Sequence, residues 1–120
     1  MKIIDSKTHG YIDYIMGIFL LASPSLFSLN MESVESIIFY VAGATAIVYS
    51  LLTRYEVGLI KIIPMKVHLI LDFLSGIVLA ASPWIFGFSE TVYKPHLVLG
   101  IIEIGAALVT QSKTRIEIEG

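Results

Sequence analysis

A chain of 120 residues is one domain's worth of sequence, but 56% hydrophobic and 15% charged residues, with a mean hydropathy of +0.83, make lipid the expected solvent. A net charge of -2 without a basic cluster excludes a nucleic-acid footprint. The lack of cysteine excludes disulfides, thiol nucleophiles and thiolate metal sites.

Residues 1–25 imitate a signal peptide, with Lys2 and Lys7 ahead of an apolar run and small residues at Ala22 and Ser23. Asp13 interrupts that run, so a first transmembrane helix over about 11–29, capped by Ser6 or Thr8, is the better reading. Glu32 and Glu35 mark a tight turn over 30–35. A second helix is expected over about 34–53, where Ala42, Ala46 and Ser50 form a small-residue stripe suited to close packing in lipid. The connector over about 55–66 is too irregular for an amphipathic helix and is expected along the membrane surface, ending at Pro64. A third helix over about 67–88 and a polar hairpin over 89–94 follow. Pro95 then suits the first turn of a fourth helix reaching about residue 112, before a charged tail over 113–120.

The third helix repeats the first. A shift of 59 residues (9 to 68) lays His9 on His68, Asp13 on Asp72, Gly17 on Gly76, Leu20 on Leu79, Ser23-Pro24 on Ser82-Pro83 and Phe27 on Phe86 without a gap. Matches at polar, Gly and Pro positions point to an internal duplication. The expected fold is therefore all-α: a single membrane domain over 1–120, a four-transmembrane-helix bundle of two parallel-oriented helix-pair repeats. Repeat 1 covers about 1–54 and repeat 2 about 67–112.

The unit, with its Ser82-Pro83-Trp84 tripeptide, resembles the SPW-repeat integral membrane proteins of prokaryotes. The likeness extends through the connector and the Pro95-His96 opening of the fourth helix. One departure is that the first copy reads Ser23-Pro24-Ser25, without the tryptophan. The resemblance implies a prokaryotic cell-membrane location and a four-helix layout, and supplies no activity. Orientation comes from the cations: Lys2, Lys7, Arg54, Lys61, Lys66, Lys113 and Arg115 fall on one side of four spans and Lys94 on the other, so both termini are expected to be cytoplasmic.

His9-Asp13 and His68-Asp72 are each four apart, on one helix face, with Gly17 and Gly76 one turn deeper. Charged residues inside a span are expensive and should face protein. The bland reading is a hydrogen-bonded pin between helices; the functional reading is a metal, proton or head-group site, with His9, Asp13, His68 and Asp72 as weak metal candidates. Gly17 and Gly76 are expected to let the first and third helices cross closely.

Glu103 should lie about 12 Å below the outer surface at the standard helical rise, near mid-bilayer. It is expected to be neutral unless paired, with Thr45, Ser75 or Tyr49 as partners. At the same shift of 59 its counterpart is Ala44, so it breaks the duplication. Ser23-Pro24 and Ser82-Pro83 either kink or end their helices. Trp84, Phe86, Phe88 and Tyr93 read as an interfacial belt, and His96 as a hydrated interfacial residue.

Soluble-enzyme signatures are absent, no catalytic residue is assigned, and no cofactor is expected. The expected partners are the lipid bilayer and further copies of the chain, without nucleic acid. The leading reading is a helix-packing or association module. The alternatives are a proton or cation conductor using Glu103, Asp13 and Asp72, and a membrane-embedded site for metal, haem or quinone.

Overall fold

The computed structural model describes residues 2–114; of the expected tail, 115–120 lie outside the described residues. Among the described residues four helices carry the fold: α1 Ser6–Leu26, α2 Val34–Leu51, α3 Met65–Ile85 and α4 Lys94–Val109. No strand accompanies them among the described residues beyond two isolated bridges, Ile4 with Thr110 and Thr53 with Ile63. α1 packs chiefly on α2 and α3 on α4, so the chain is two helical hairpins laid side by side.

Helix α1 begins earlier than expected because Asp5, rather than Ser6 or Thr8, is its cap and accepts from the Thr8 amide. α3 likewise starts at Met65, directly after Pro64, and Pro95 takes the first turn of α4 as expected. Among the described residues two helices, α2 and α3, are long and apolar enough to cross a membrane. α1 has the same 21-residue length as α3 and the same polar string, Lys7, His9 and Asp13 against Lys66, His68 and Asp72, and α4 has only 16 residues.

The Ser-Pro pairs sit in the last turn of α1 and α3, so the helices run through the prolines and stop two residues later. Both ends close in the same way. The amides of Phe27 and Phe86 bond Ser23 O and Ser82 O, and those of Leu29 and Phe88 reach Pro24 O and Pro83 O. Between these bonds, Ser28 (φ 53) and Gly87 (φ 76) take the left-handed conformation that ends a helix. Ser82 Oγ donates to Leu79 O at 2.7 Å, the carbonyl released by Pro83. Its counterpart Ser23 Oγ donates one residue earlier, to Phe19 O at 2.7 Å. Ser82 thus replaces the bond that its proline removes, whereas Ser23 bonds the carbonyl before the one that Pro24 releases.

The chain ends are tied across the hairpins by matching bonds. Ile4 N bonds Val109 O and Gln111 N bonds Ile4 O, just as Ile63 N bonds Leu52 O and Arg54 N bonds Ile63 O. The start of each hairpin thus pairs with the end of the other.

Gly17 and Gly76 do not meet each other. A Cβ on Gly43 would lie 2.7 Å from Gly17 O, and one on Gly76 would lie 2.8 Å from Gly100 O, so the close approaches are within each hairpin. These glycine pairs give the α2–α4 correspondence a shift of 57 residues (43 to 100), two less than for α1 and α3. The structural counterpart of Glu103 is consequently Ala46, not Ala44.

The apolar core is small. Leu20, Leu79, Phe39 and Leu99 form one buried cluster, with Ala42 packed alongside; Tyr55, Met65 and Leu69 form a second, and Ala46 is also buried. Buried polar residues are numerous, while Ile15, Ile18, Val41, Ile70, Val98 and Ile101 are more than half exposed. Polar groups inside and apolar groups outside invert the soluble pattern.

At the end of the bundle near the Ser-Pro turns, His96 is fully buried, contrary to the hydrated residue expected there. Its ring stacks on Phe39 at 3.9 Å, and its Nε2 donates to Glu35 O at 2.9 Å. Under the 57-residue shift Phe39 and His96 are counterparts, so the two hairpins meet ring to ring. Trp84 is half exposed, with Tyr93 at 5.7 Å.

Candidate functional site: a buried His/Asp tetrad

The N-terminal halves of α1 and α3 bring His9, Asp13, His68 and Asp72 into one cluster, every member buried. The four-residue spacing joins each pair along its own helix: His9 Nε2 is 3.0 Å from Asp13 Oδ1 and His68 Nε2 is 3.1 Å from Asp72 Oδ2. The shorter contacts cross between hairpins. His9 Nε2 lies 2.7 Å from Asp72 Oδ2, and His68 Nε2 lies 2.8 Å from Asp13 Oδ2. Their alignment differs: the His9–Asp72 contact is an aligned hydrogen bond, whereas His68 Nε2 makes none despite its two close carboxylates.

The other imidazole nitrogen settles the tautomers. Thr53 Oγ1 donates its single proton to Tyr49 O at 2.6 Å, and Thr110 Oγ1 donates to Ala106 O at 2.5 Å. Each hydroxyl oxygen is then left as an acceptor, 2.7 Å from His68 Nδ1 and 2.7 Å from His9 Nδ1 respectively. Both Nδ1 atoms must therefore carry hydrogen, and both Nε2 atoms face carboxylate oxygens. Bare lone pairs at that separation would repel, so a proton must lie between each Nε2 and a carboxylate. With two protons the tetrad is neutral overall, whichever atom each proton sits on.

Two tyrosines complete the carboxylates. Tyr49 donates to Asp72 Oδ1, and Tyr55 donates to Asp13 Oδ2 at 2.8 Å. Tyr55 comes from the connector, which does more than lie on a surface. Its amides at Leu59 and Ile60 bond Leu51 O, Tyr14 donates to Val57 O at 2.8 Å, and the Val57 side chain fills the place of a Cβ on Gly10. Lys61 Nζ holds the turn through Tyr55 O at 2.7 Å and Gly58 O at 3.0 Å. Burial, reinforced by Asp13, pushes the Tyr55 phenol above its usual range, which keeps it a donor.

Glu103 enters the same region from α4. Its Oε2 is buried without a hydrogen-bond partner, so the bonds expected from Thr45, Ser75 or Tyr49 do not satisfy it. It lines a cavity with His9, Asp13, Asp72, Ala46 and Ala106. That cavity leaves about 20 Å³ for a water centre, above the roughly 10–15 Å³ that one water needs.

Thr53, Thr110 and Tyr55 were not singled out in the sequence, and Tyr49 was named only as a partner of Glu103. One signal was available for the threonines: both second helices carry a glycine and, ten residues on, a threonine, Gly43 to Thr53 and Gly100 to Thr110. The tyrosines have no such recurrence, since Ala106 stands where Tyr49 would repeat.

Among known proteins, a family model described as the SPW repeat domain matches residues 7–110. That span contains the whole tetrad, both Ser-Pro turns and both threonines. No curated protein and no solved structure matches the chain.

Proposed function

The chain belongs to the SPW repeat family, and from that premise we propose that it is a membrane-spanning packing module whose two helix-pair repeats are clasped by the neutral His/Asp tetrad. The observation that carries this reading is the inversion of polarity: His, Asp, Ser and Thr side chains are buried while isoleucine, leucine and valine cover the outside. Without water between helices, the hydrophobic effect cannot hold them together, and hydrogen bonds and close glycine contacts must serve instead.

Four spans with both termini cytoplasmic is the layout we favour. α1 matches α3 in length and exposes Ile15, Ile18 and Phe19, and α4 exposes Val98, Ile101 and Leu108. The recurrence of helix ends, threonine bonds and cross-hairpin ties supports a duplicated unit with its pseudo-two-fold axis along the membrane normal. Single cysteines introduced in this cysteine-free chain test the topology. Labelling from outside at a residue replacing Glu90 but not Lys61 is expected, and the reverse pattern would invert the arrangement.

One observation favours a second reading, proton or cation conduction: the unpartnered Glu103 Oε2 shares a water-sized cavity with His9, Asp13 and Asp72. Flux into liposomes that is lost in Glu103→Gln would establish it. Equal flux with and without the protein would remove it.

A further inference from the structure

We propose that the tetrad is an exchange site in which one divalent transition-metal ion replaces two protons. The inference uses the tetrad geometry alone and does not depend on the number of spans. Each residue offers one ligand atom, and the four atoms lie within 4.8 Å of one another. A tetrahedral ion with bonds of about 2.0–2.1 Å sets its ligands about 3.4 Å apart, so closure asks for side-chain shifts of about 1 Å.

The surroundings are already those of a metal centre. Both Nδ1–H groups are fixed by threonine hydroxyls, which turns each Nε2 inward in the tautomer that ligates. Tyr49 and Tyr55 each donate to one of the two carboxylates and fix its position. His68 is fully buried, and its Nε2 aligns with neither carboxylate, so a proton-filled tetrad leaves that atom without a directed bond. A central ion would supply one.

Charge balance points the same way. Two aspartates and two imidazoles with two protons are neutral, and so are two aspartates and two neutral imidazoles with an ion of charge +2. Exchange releases both protons, leaves the buried charge unchanged, and forms two metal–nitrogen and two metal–oxygen bonds. Two imidazoles with two carboxylates suit zinc or cobalt and disfavour calcium or magnesium, which prefer all-oxygen sets.

The test is a titration of chelator-stripped, tag-free protein in nanodiscs with Co2+, followed by visible absorption and proton release in weak buffer. The expected result is one Co2+ per chain with the intense spectrum of a tetrahedral ion, displacement by Zn2+, and two protons released. Apparent affinity should rise about 100-fold per pH unit while both protons are present. His68→Gln should abolish the tetrahedral spectrum, and Thr53→Val should keep it with affinity about 10–100-fold weaker. A colourless protein, binding without proton release, or a spectrum that survives His68→Gln would each overturn the proposal. Because the wild-type spectrum and proton count decide it, a variant that fails to fold leaves the test intact. A wild-type protein that folds but binds no metal would defeat the exchange site while leaving the clasp standing.

Discussion

Helices α2 and α4 occupy equivalent places in the two hairpins; both carry a glycine at the close approach, and each is followed by a threonine bonded to a histidine. Two of the differences between these shared points bear on the tetrad: α2 presents Ala46 and Tyr49 where α4 presents Glu103 and Ala106. Tyr49 reaches Asp72 directly. Ala106 is too short to reach Asp13, so Asp13 takes its donor from Tyr55 in the connector, and the space left beside Ala106 becomes the cavity that Glu103 lines. The shared points build the clasp, and the exchanged points make its two sides unequal.

The largest effect expected tests what is shared. Asp72→Ala removes the short partner of His9 and an acceptor of Tyr49, leaving a buried cation or donor unpaired. Denaturation in micelles should show a loss of about 3–5 kcal/mol, and a loss near zero would mean that the tetrad is not holding the hairpins.

Next comes the glycine contact. A Cβ on Gly100 would stand 2.5 Å from Ala80 N and 2.6 Å from Gly76 O, both backbone atoms that cannot swing aside. Gly100→Ala should therefore cost about 1–3 kcal/mol. Gly105→Ala, with open space at that position, should be neutral or stabilise by up to about 1 kcal/mol through helix propensity. Equal melting of the two variants would break the assignment of close packing.

An effect of similar size separates the two sides. Tyr49→Phe and Tyr55→Phe each remove one hydroxyl donor from a buried carboxylate, at about 1–3 kcal/mol apiece. Chymotryptic cleavage in the connector should be accelerated by Tyr55→Phe, whose hydroxyl ties the connector to the tetrad, and not by Tyr49→Phe. Identical cleavage in both would remove the distinction drawn between them. The smallest change is expected for Glu103→Gln, within about 0.5 kcal/mol, because the substituted oxygen has no partner to lose. Failure of that variant to fold, with Glu103→Asp tolerated, would show that the carboxylate is charged and paired.

The helical layout was legible because its signals are local: long apolar runs, Pro95 at a first turn, and a repeated polar string. The tetrad was legible in membership but not in connection. Four-residue spacing reports pairs within a helix, whereas the shortest contacts here, His9 to Asp72 and His68 to Asp13, run between hairpins. A difference of two residues in hairpin length also displaced the partner of Glu103 from Ala44 to Ala46. His96 and Tyr55 were unreadable for one reason: their burial depends on rings and helix ends contributed by distant parts of the chain. His96 rests on Phe39, and Tyr55 reaches Asp13 from a connector whose composition reads as surface.

A double-mutant cycle on His9 and Asp72, measured by reversible unfolding in chelator-treated nanodiscs, tests the clasp most directly. The structure predicts that His9→Gln and Asp72→Asn are strongly non-additive, with a coupling of about 1–3 kcal/mol across the hairpins. Additivity within about 0.3 kcal/mol would contradict it and leave the four buried groups as neighbours without a shared bond.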